Sequence, residues 1–196
     1  RPSPWARPSS TSRAPSCAGG IRWRSAKDDL DAALARALQA TDGMPRCYHG
    51  LVRRDVLDAV RDKTGAYFHG SSPDMSGAVS LACLLDQYVE TDQPLSIAGV
   101  SGNSNSGRSA LNKHKGELSS ESQTNSFERE GWTLGVPKFF AVETVWAHAG
   151  LSTLAKFAPE RAASFNYVRL IALCAVRHPE FHAEINAAIA EAEELC

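Results

Sequence analysis

The stretch HGSSPDMSGAVSLACLL, residues 69–85, joins a loop of small and polar residues to an almost wholly apolar segment. Pro73 is typical of the first position of a helix, where its missing backbone N–H costs nothing. Asp74 comes next, where free N–H groups and the helix dipole favour a negative charge. The apolar run after it predicts a buried helix from Pro73 to about Gln87.

Asp74 has two interpretations. As an ordinary first-turn acid it stabilises the helix and does nothing else, and such acids are common at helix starts. Against that interpretation stand the small residues around it, which would leave room for another molecule: Gly70, Ser71, Ser72, Ser76 and Gly77. A capping carboxylate does not need that room. Asp74 is therefore a candidate catalytic residue, and Ser72 is a candidate contact to a substrate.

Extended and helical patterns alternate through about residue 100. Residues 46–52 (RCYHGLV), 66–70 (AYFHG) and 94–101 (PLSIAGVS) look like short strands. Residues 25–43 and 53–65 have the apolar spacing of amphipathic helices; the first opens with a serine cap and the second closes on a glycine. Alternation of this kind predicts an α/β layer.

The two ends of the chain differ from this middle part. Residues 1–25 are rich in Arg, Ser and Pro, contain no acidic residue and show no hydrophobic period, which predicts a disordered or foreign tail. The chain also begins without methionine, so we expect a fragment boundary or an upstream frameshift. Residues 26–116 form the α/β part, and residues 117–196 form a polar loop and a helical C-terminal extension.

The composition narrows the classes of function. With 196 residues and 43% hydrophobic content, the chain can bury one core. Its 21 basic and 22 acidic residues give a net charge of −1, which argues against a nucleic-acid partner. Its 5 cysteines form no CxxC pair, so we expect reduced thiols and a cytoplasmic protein. The longest apolar stretch, residues 170–176, is too short to span a membrane.

The polar loop after residue 101 offers a second candidate site. Residues 102–109 (GNSNSGRS) have the spacing of a phosphate-binding P-loop, except that Arg108 replaces the lysine. A planar guanidinium is a poor substitute for a compact ammonium at a tight phosphate site. A P-loop-like nucleotide-binding protein therefore stays an alternative, beside a solvated loop and a looser anion site formed by Arg108, Lys113, His114 and Lys115.

Two metal-like patterns have simpler interpretations. Asp29 and Asp31 spell DxD, but two positions apart on a helix they point to different sides. In HPEFH, residues 178–182, Pro179 starts a helix and leaves His178 outside it. Neither pattern predicts a metal site.

Residues 44–116, taken together, resemble the second half of family 2 glycosyltransferases of the GT-A fold. The resemblance rests on the order of four pieces: YHGLVRR (48–54), TGAYFHG (64–70), SPDM (72–75), and a polar loop that carries His114. It implies a partial GT-A, Rossmann-like α/β fold with a helical C-terminal region.

The resemblance also implies a mechanism. Asp74 would be the general base that deprotonates the hydroxyl of a carbohydrate acceptor, while a nucleotide-sugar donor loses its nucleotide diphosphate with inversion. Arg108, Lys113 and His114 would lie over the diphosphate. The family uses a divalent metal, Mn or Mg, and His114 is the candidate ligand in this chain.

The family's nucleotide-binding half and its DxD metal site do not occur in this sequence. We therefore expect an enzyme that is inactive alone and needs a complementary N-terminal half, or a second copy, as a partner. The alternative from another class is a non-catalytic binding or structural module of the same fold.

Overall fold

The computed structural model of the chain describes residues 20–93, 115, 116, 118 and 131–195. Within these residues the protein is mixed α/β and mostly helical, with one two-stranded sheet. The α/β class is therefore confirmed in this coarse sense, and the GT-A topology stays a prediction. Residues 94–101, predicted as a strand, lie outside the described part.

The elements take their bounds from the backbone hydrogen bonds. In chain order they are β1 (Ile21–Ser25), α1 (Ala26–Ala35), α2 (Arg54–Thr64), α3 (Pro73–Leu84), β2 (Gln87–Thr91), α4 (Val142–Phe157), a 3-10 helix (Pro159–Ser164), α5 (Tyr167–Arg177), a second 3-10 helix (Pro179–Phe181) and α6 (His182–Glu193). The C-terminal extension is helical, as the sequence predicts.

The first two helices have the predicted end signals. The Ser25 hydroxyl accepts a hydrogen bond from the Asp28 backbone N–H at 3.3 Å and so caps α1. Helix α1 ends well before residue 43, because Ala37 and Leu38 have φ angles of 58° and 55°, which a right-handed helix does not include. Gly65 closes α2 in the left-handed region at φ 82°.

Strands β1 and β2 pair in antiparallel register, with Ile21 opposite Thr91 and Trp23 opposite Val89. The prediction of a tail through residue 25 is therefore wrong for residues 21–25; residues 1–19 lie outside the described part. One face of the sheet exposes Ile21 and Trp23, each 71% accessible, whereas the other face turns Arg24 toward α1.

Two of the predicted strands do not form. Residues 46–52 are irregular, because His49 has a φ of 60° and interrupts any extended run. Residues 66–70 end at Gly70, whose φ of 64° turns the chain against α4. A strand also needs a neighbour to pair its backbone groups, and neither segment lies beside one among the described residues.

Helix α3 forms the centre of the core. It packs against α1, α2 and α4, and its residues from Met75 to Ala82 are all buried. The predicted buried helix is thus confirmed, although it ends at Leu84 because the chain must turn before β2. No helix in the described part of the chain is long and apolar enough to cross a membrane.

Candidate functional site

Asp74 lies in the first turn of α3, where two hydrogen bonds fix its side chain. Its Oδ1 accepts the backbone N–H of Met75 at 3.0 Å and also the hydroxyl of Ser72. The Met75 N–H is one of the donors that a helix start leaves without an intrahelical acceptor. Asp74 thus fulfils the first-turn role. Among the described residues its Oδ2 accepts no hydrogen bond, and the side chain is half-buried.

Two of the small residues around Asp74, Gly70 and Gly77, do not leave the predicted room. A Cβ on Gly70 would lie 3.0 Å from Ala149 Cα, and one on Gly77 would lie 3.1 Å from Phe68 Cε1. Gly70 therefore allows the loop before α3 to approach α4 closely, and Gly77 allows Phe68 of that loop to approach α3. The space-based argument for an acceptor site is wrong at these positions, because the protein fills the space itself.

Ser76 belongs to a buried network that holds the loop before α3. Its hydroxyl accepts the backbone N–H of His69 at 2.7 Å and is hydrogen-bonded to the Thr153 hydroxyl at 3.0 Å. The His69 ring contacts α2, with Nε2 2.9 Å from the hydroxyl of Thr64, the last residue of that helix. Helices α2, α3 and α4 thus all anchor the segment that leads to Asp74.

Ser72 is placed beside Asp74, as predicted, but not as an open contact. It is only 5% exposed, and its hydroxyl points to the carboxylate. The other predicted site residues, Arg108, Lys113 and His114, lie outside the described residues. Lys115 is described, and its ammonium pairs with Glu180 at the surface, where this bond lowers the pKa of Glu180.

The DxD-like pair does not fit a divalent cation. Asp29 accepts Arg24 Nε at 3.1 Å and the Tyr88 hydroxyl at 2.8 Å, and Asp31 pairs with Arg161. Each carboxylate thus already faces a guanidinium, which would repel a metal. In the described ranges no cluster of three His, Cys, Asp or Glu side chains could hold one.

Asp29 is more than helix-start charge, because it is buried and joins the sheet to α1. Burial, together with the hydrogen bond to Asp29, raises the pKa of Tyr88 to about 12, so this hydroxyl keeps its proton and donates. A buried acceptor of this kind needs a donor, and Arg24 and Tyr88 supply it. The sequence contained no signal for this contact, since Tyr88 lies far along the chain.

A second buried carboxylate, Glu143, joins α4 to the end of α5. Its Oε1 accepts Arg177 Nη1 at 2.6 Å, and its Oε2 lies 3.0 Å from His178 Nε2. Burial raises the pKa of Glu143, but the hydrogen bonds from Arg177 and His178 outweigh it and leave the pKa below its usual range. This group ties α4 to the end of α5.

His148 is a core residue. It is 1% exposed and stacks on Trp132 with ring centroids 4.5 Å apart. Its Nδ1 accepts the Thr133 backbone N–H at 3.3 Å, which leaves the ring proton on Nε2. Burial lowers the pKa of His148 to about 4, so the ring is neutral at pH 7.

Comparison of the chain with protein-family models, with curated proteins and with solved structures finds no match. The resemblance of residues 44–116 to glycosyltransferases therefore stays a prediction from the sequence. What the geometry adds is the setting of Asp74, a half-buried carboxylate that is fixed through one oxygen at the start of the central helix.

Proposed function

We propose that the chain carries the acceptor side of an inverting glycosyltransferase, with Asp74 as the general base. The observation that supports this role is that the two carboxylate oxygens of Asp74 differ in their hydrogen bonding. Oδ1 takes the hydrogen bonds of Ser72 and Met75, and among the described residues Oδ2 takes none. A general base needs such an oxygen, held in place and able to accept a proton.

Inverting transfer requires one carboxylate on the acceptor side, as the base. Oδ2 of Asp74 accepts the proton of the acceptor hydroxyl as its oxygen attacks the anomeric carbon of the donor. The bond from that carbon to the diphosphate oxygen breaks, and its electron pair leaves with the nucleotide diphosphate. A diphosphate is a stable anion and leaves without a proton, so no second acid is needed. Attack opposite the leaving group inverts the anomeric configuration.

Most of the binding site for the nucleotide-sugar donor would lie outside this chain. The resemblance places the nucleotide, the DxD motif and the Mn or Mg ion in a preceding half. From this chain it adds Arg108, Lys113 and His114, whose positive and donor groups would offset the diphosphate charge. We therefore propose that transfer requires a second polypeptide or a longer one that supplies this half.

A transfer assay tests the proposal. This chain, and a polypeptide extended by the upstream coding sequence, are incubated with UDP- and GDP-sugars, Mn or Mg, and a panel of carbohydrate acceptors. We expect transfer by the extended polypeptide and none by the chain alone. Turnover by the chain alone would contradict the need for a second half, and no turnover in either would favour the non-catalytic alternative.

Donor binding, measured by calorimetry, separates the proposal from the P-loop-like alternative. On the glycosyltransferase interpretation, Asp74→Asn removes transfer and leaves donor affinity nearly unchanged. On the P-loop interpretation, the chain alone binds free nucleotide, Arg108→Ala removes that binding, and Asp74→Asn has no effect. The two substitutions therefore give opposite results under the two interpretations.

A further inference from the structure

Ser72 occupies the N-cap of α3 but does not use its side chain as a cap. An N-cap serine normally accepts a backbone N–H from the second or third helical residue. Here the Ser72 hydroxyl makes no such bond, and the third residue, Met75, donates its N–H to Asp74 instead. The Ser72 hydroxyl is thereby left to donate to Asp74 Oδ1.

The helix could start without the hydrogen bond from the Met75 N–H to Asp74. If Ser72 bonded the Met75 N–H directly, the same donor would be satisfied and Asp74 could turn freely to solvent. The arrangement present instead places two donors on one carboxylate oxygen. Two such bonds restrict both side-chain torsions of Asp74 and leave Oδ2 as the oxygen that is open to a proton.

The backbone of Ser72 is itself held from the core. Its carbonyl accepts the Ser76 N–H at 2.9 Å, and the Ser76 side chain is hydrogen-bonded to Thr153 of α4. Because Ser76 and Thr153 are both fully buried, the position of Ser72 is set by the packing of α3 on α4. A side chain that is fixed in this way can fix its neighbour.

We infer that Ser72 is a positioning residue, which orients the Asp74 carboxylate through Oδ1 and so assigns proton acceptance to Oδ2. The catalytic part of this inference rests on the proposed function, whereas the orientation of Asp74 by Ser72 does not depend on it. It replaces the expected role of Ser72 as a substrate contact, since its hydroxyl is buried and engaged.

The orientation is tested by NMR on the full chain. Three-bond Hα–Hβ couplings of Asp74 report its χ1 distribution. We expect a single rotamer in the wild type, averaged couplings in Ser72→Ala, and restored couplings in Ser72→Thr, which keeps the hydroxyl. Ser25→Ala is the matched control, because it removes an N-cap serine from α1 and does not touch Asp74.

If Ser72→Ala fails to fold, Ser72→Gly replaces it, since glycine is tolerated at an N-cap and also lacks the hydroxyl. Unchanged Asp74 couplings in the hydroxyl-free variant would overturn the inference. So would averaged couplings in the wild type.

Kinetics on the extended, active polypeptide test the catalytic part. We expect Ser72→Ala to lower kcat roughly tenfold with little change in the KM for acceptor, because orientation affects the reaction step rather than binding. A raised KM with unchanged kcat would instead identify Ser72 as a substrate contact. If Asp74→Asn retains full activity, the proposed function fails, and the coupling measurement still decides the role of Ser72 in orientation.

Discussion

Because His148 is buried, we expect the free energy of unfolding to fall as the pH is lowered. This fall begins well above the pH at which carboxylates titrate. An unfolded histidine takes up a proton below about pH 6.5, whereas His148 in the folded protein stays neutral down to about pH 4. Between these values the unfolded state binds more protons, so lowering the pH favours unfolding. The loss begins near pH 6.5 and is complete only below about pH 4.

The magnitude follows from the two pKa values. Relative to pH 7 and above, the loss is about 2 kcal/mol at pH 5 and about 3 kcal/mol at pH 4. His148 is 1% exposed, so solvent does little to reduce this penalty. Urea denaturation between pH 7.5 and pH 4.5, followed by far-UV circular dichroism, measures it as a fall in the free energy of unfolding.

A variant isolates the contribution of this residue. His148→Asn places an amide oxygen near the position of Nδ1, so it keeps an acceptor for the Thr133 N–H but does not titrate. Its stability at pH 7 is lower, because the stack on Trp132 is lost, but its loss of stability between pH 7 and pH 5 is about 2 kcal/mol smaller than that of the wild type. His182→Asn, at an exposed histidine, is the control and keeps the wild-type slope. A wild-type stability that is unchanged between pH 7 and pH 5 would refute the reasoning.

Three further substitutions are expected to lower the free energy of unfolding, each measured by urea denaturation. Gly150→Ala costs about 1–3 kcal/mol, because its Cβ would lie 2.2 Å from Leu38 Cδ1. An unchanged urea midpoint would mean that the Leu38 side chain moves aside at no cost. Glu143→Gln costs roughly 1–3 kcal/mol at pH 7 through its weakened bond to Arg177. Because the folded pKa of Glu143 is depressed, its contribution is lost as the pH falls below the ordinary glutamate pKa of about 4.3, so the difference from wild type must shrink there. Tyr88→Phe costs roughly 1–2 kcal/mol by leaving a buried carboxylate one donor short, and a neutral result would show that water replaces the hydroxyl.

Local signals in the sequence predicted the helices well. The serine cap of α1, the glycine that ends α2 and Pro73 at the start of α3 each act within a few residues, so their effect can be derived from the chain alone. The position of Asp74 in the first turn of a buried helix was predictable for the same reason.

Contacts between distant residues were not predictable in this way. Strand β1 forms because it meets β2 more than sixty residues later, and nothing in residues 21–25 indicates that partner. Glu143 looks like an ordinary helix-start acid until α5 brings Arg177 to it. Gly70 and Gly77 suggested open space, but small residues also allow close packing, and only the position of α4 and Phe68 decides between the two.

The most direct test of the central claim is the effect of Asp74→Asn on transfer by the extended polypeptide. We predict that transfer gives a product with inverted anomeric configuration, observed by proton NMR of the anomeric centre. We predict that Asp74→Asn lowers kcat by about 10²–10⁴ and leaves donor affinity unchanged. Asp55→Asn is the matched control, because Asp55 is also a first-turn acid, and it retains wild-type kcat. Transfer at the wild-type rate by Asp74→Asn, or a product with retained configuration, would contradict the claim that Asp74 is the base of an inverting glycosyltransferase.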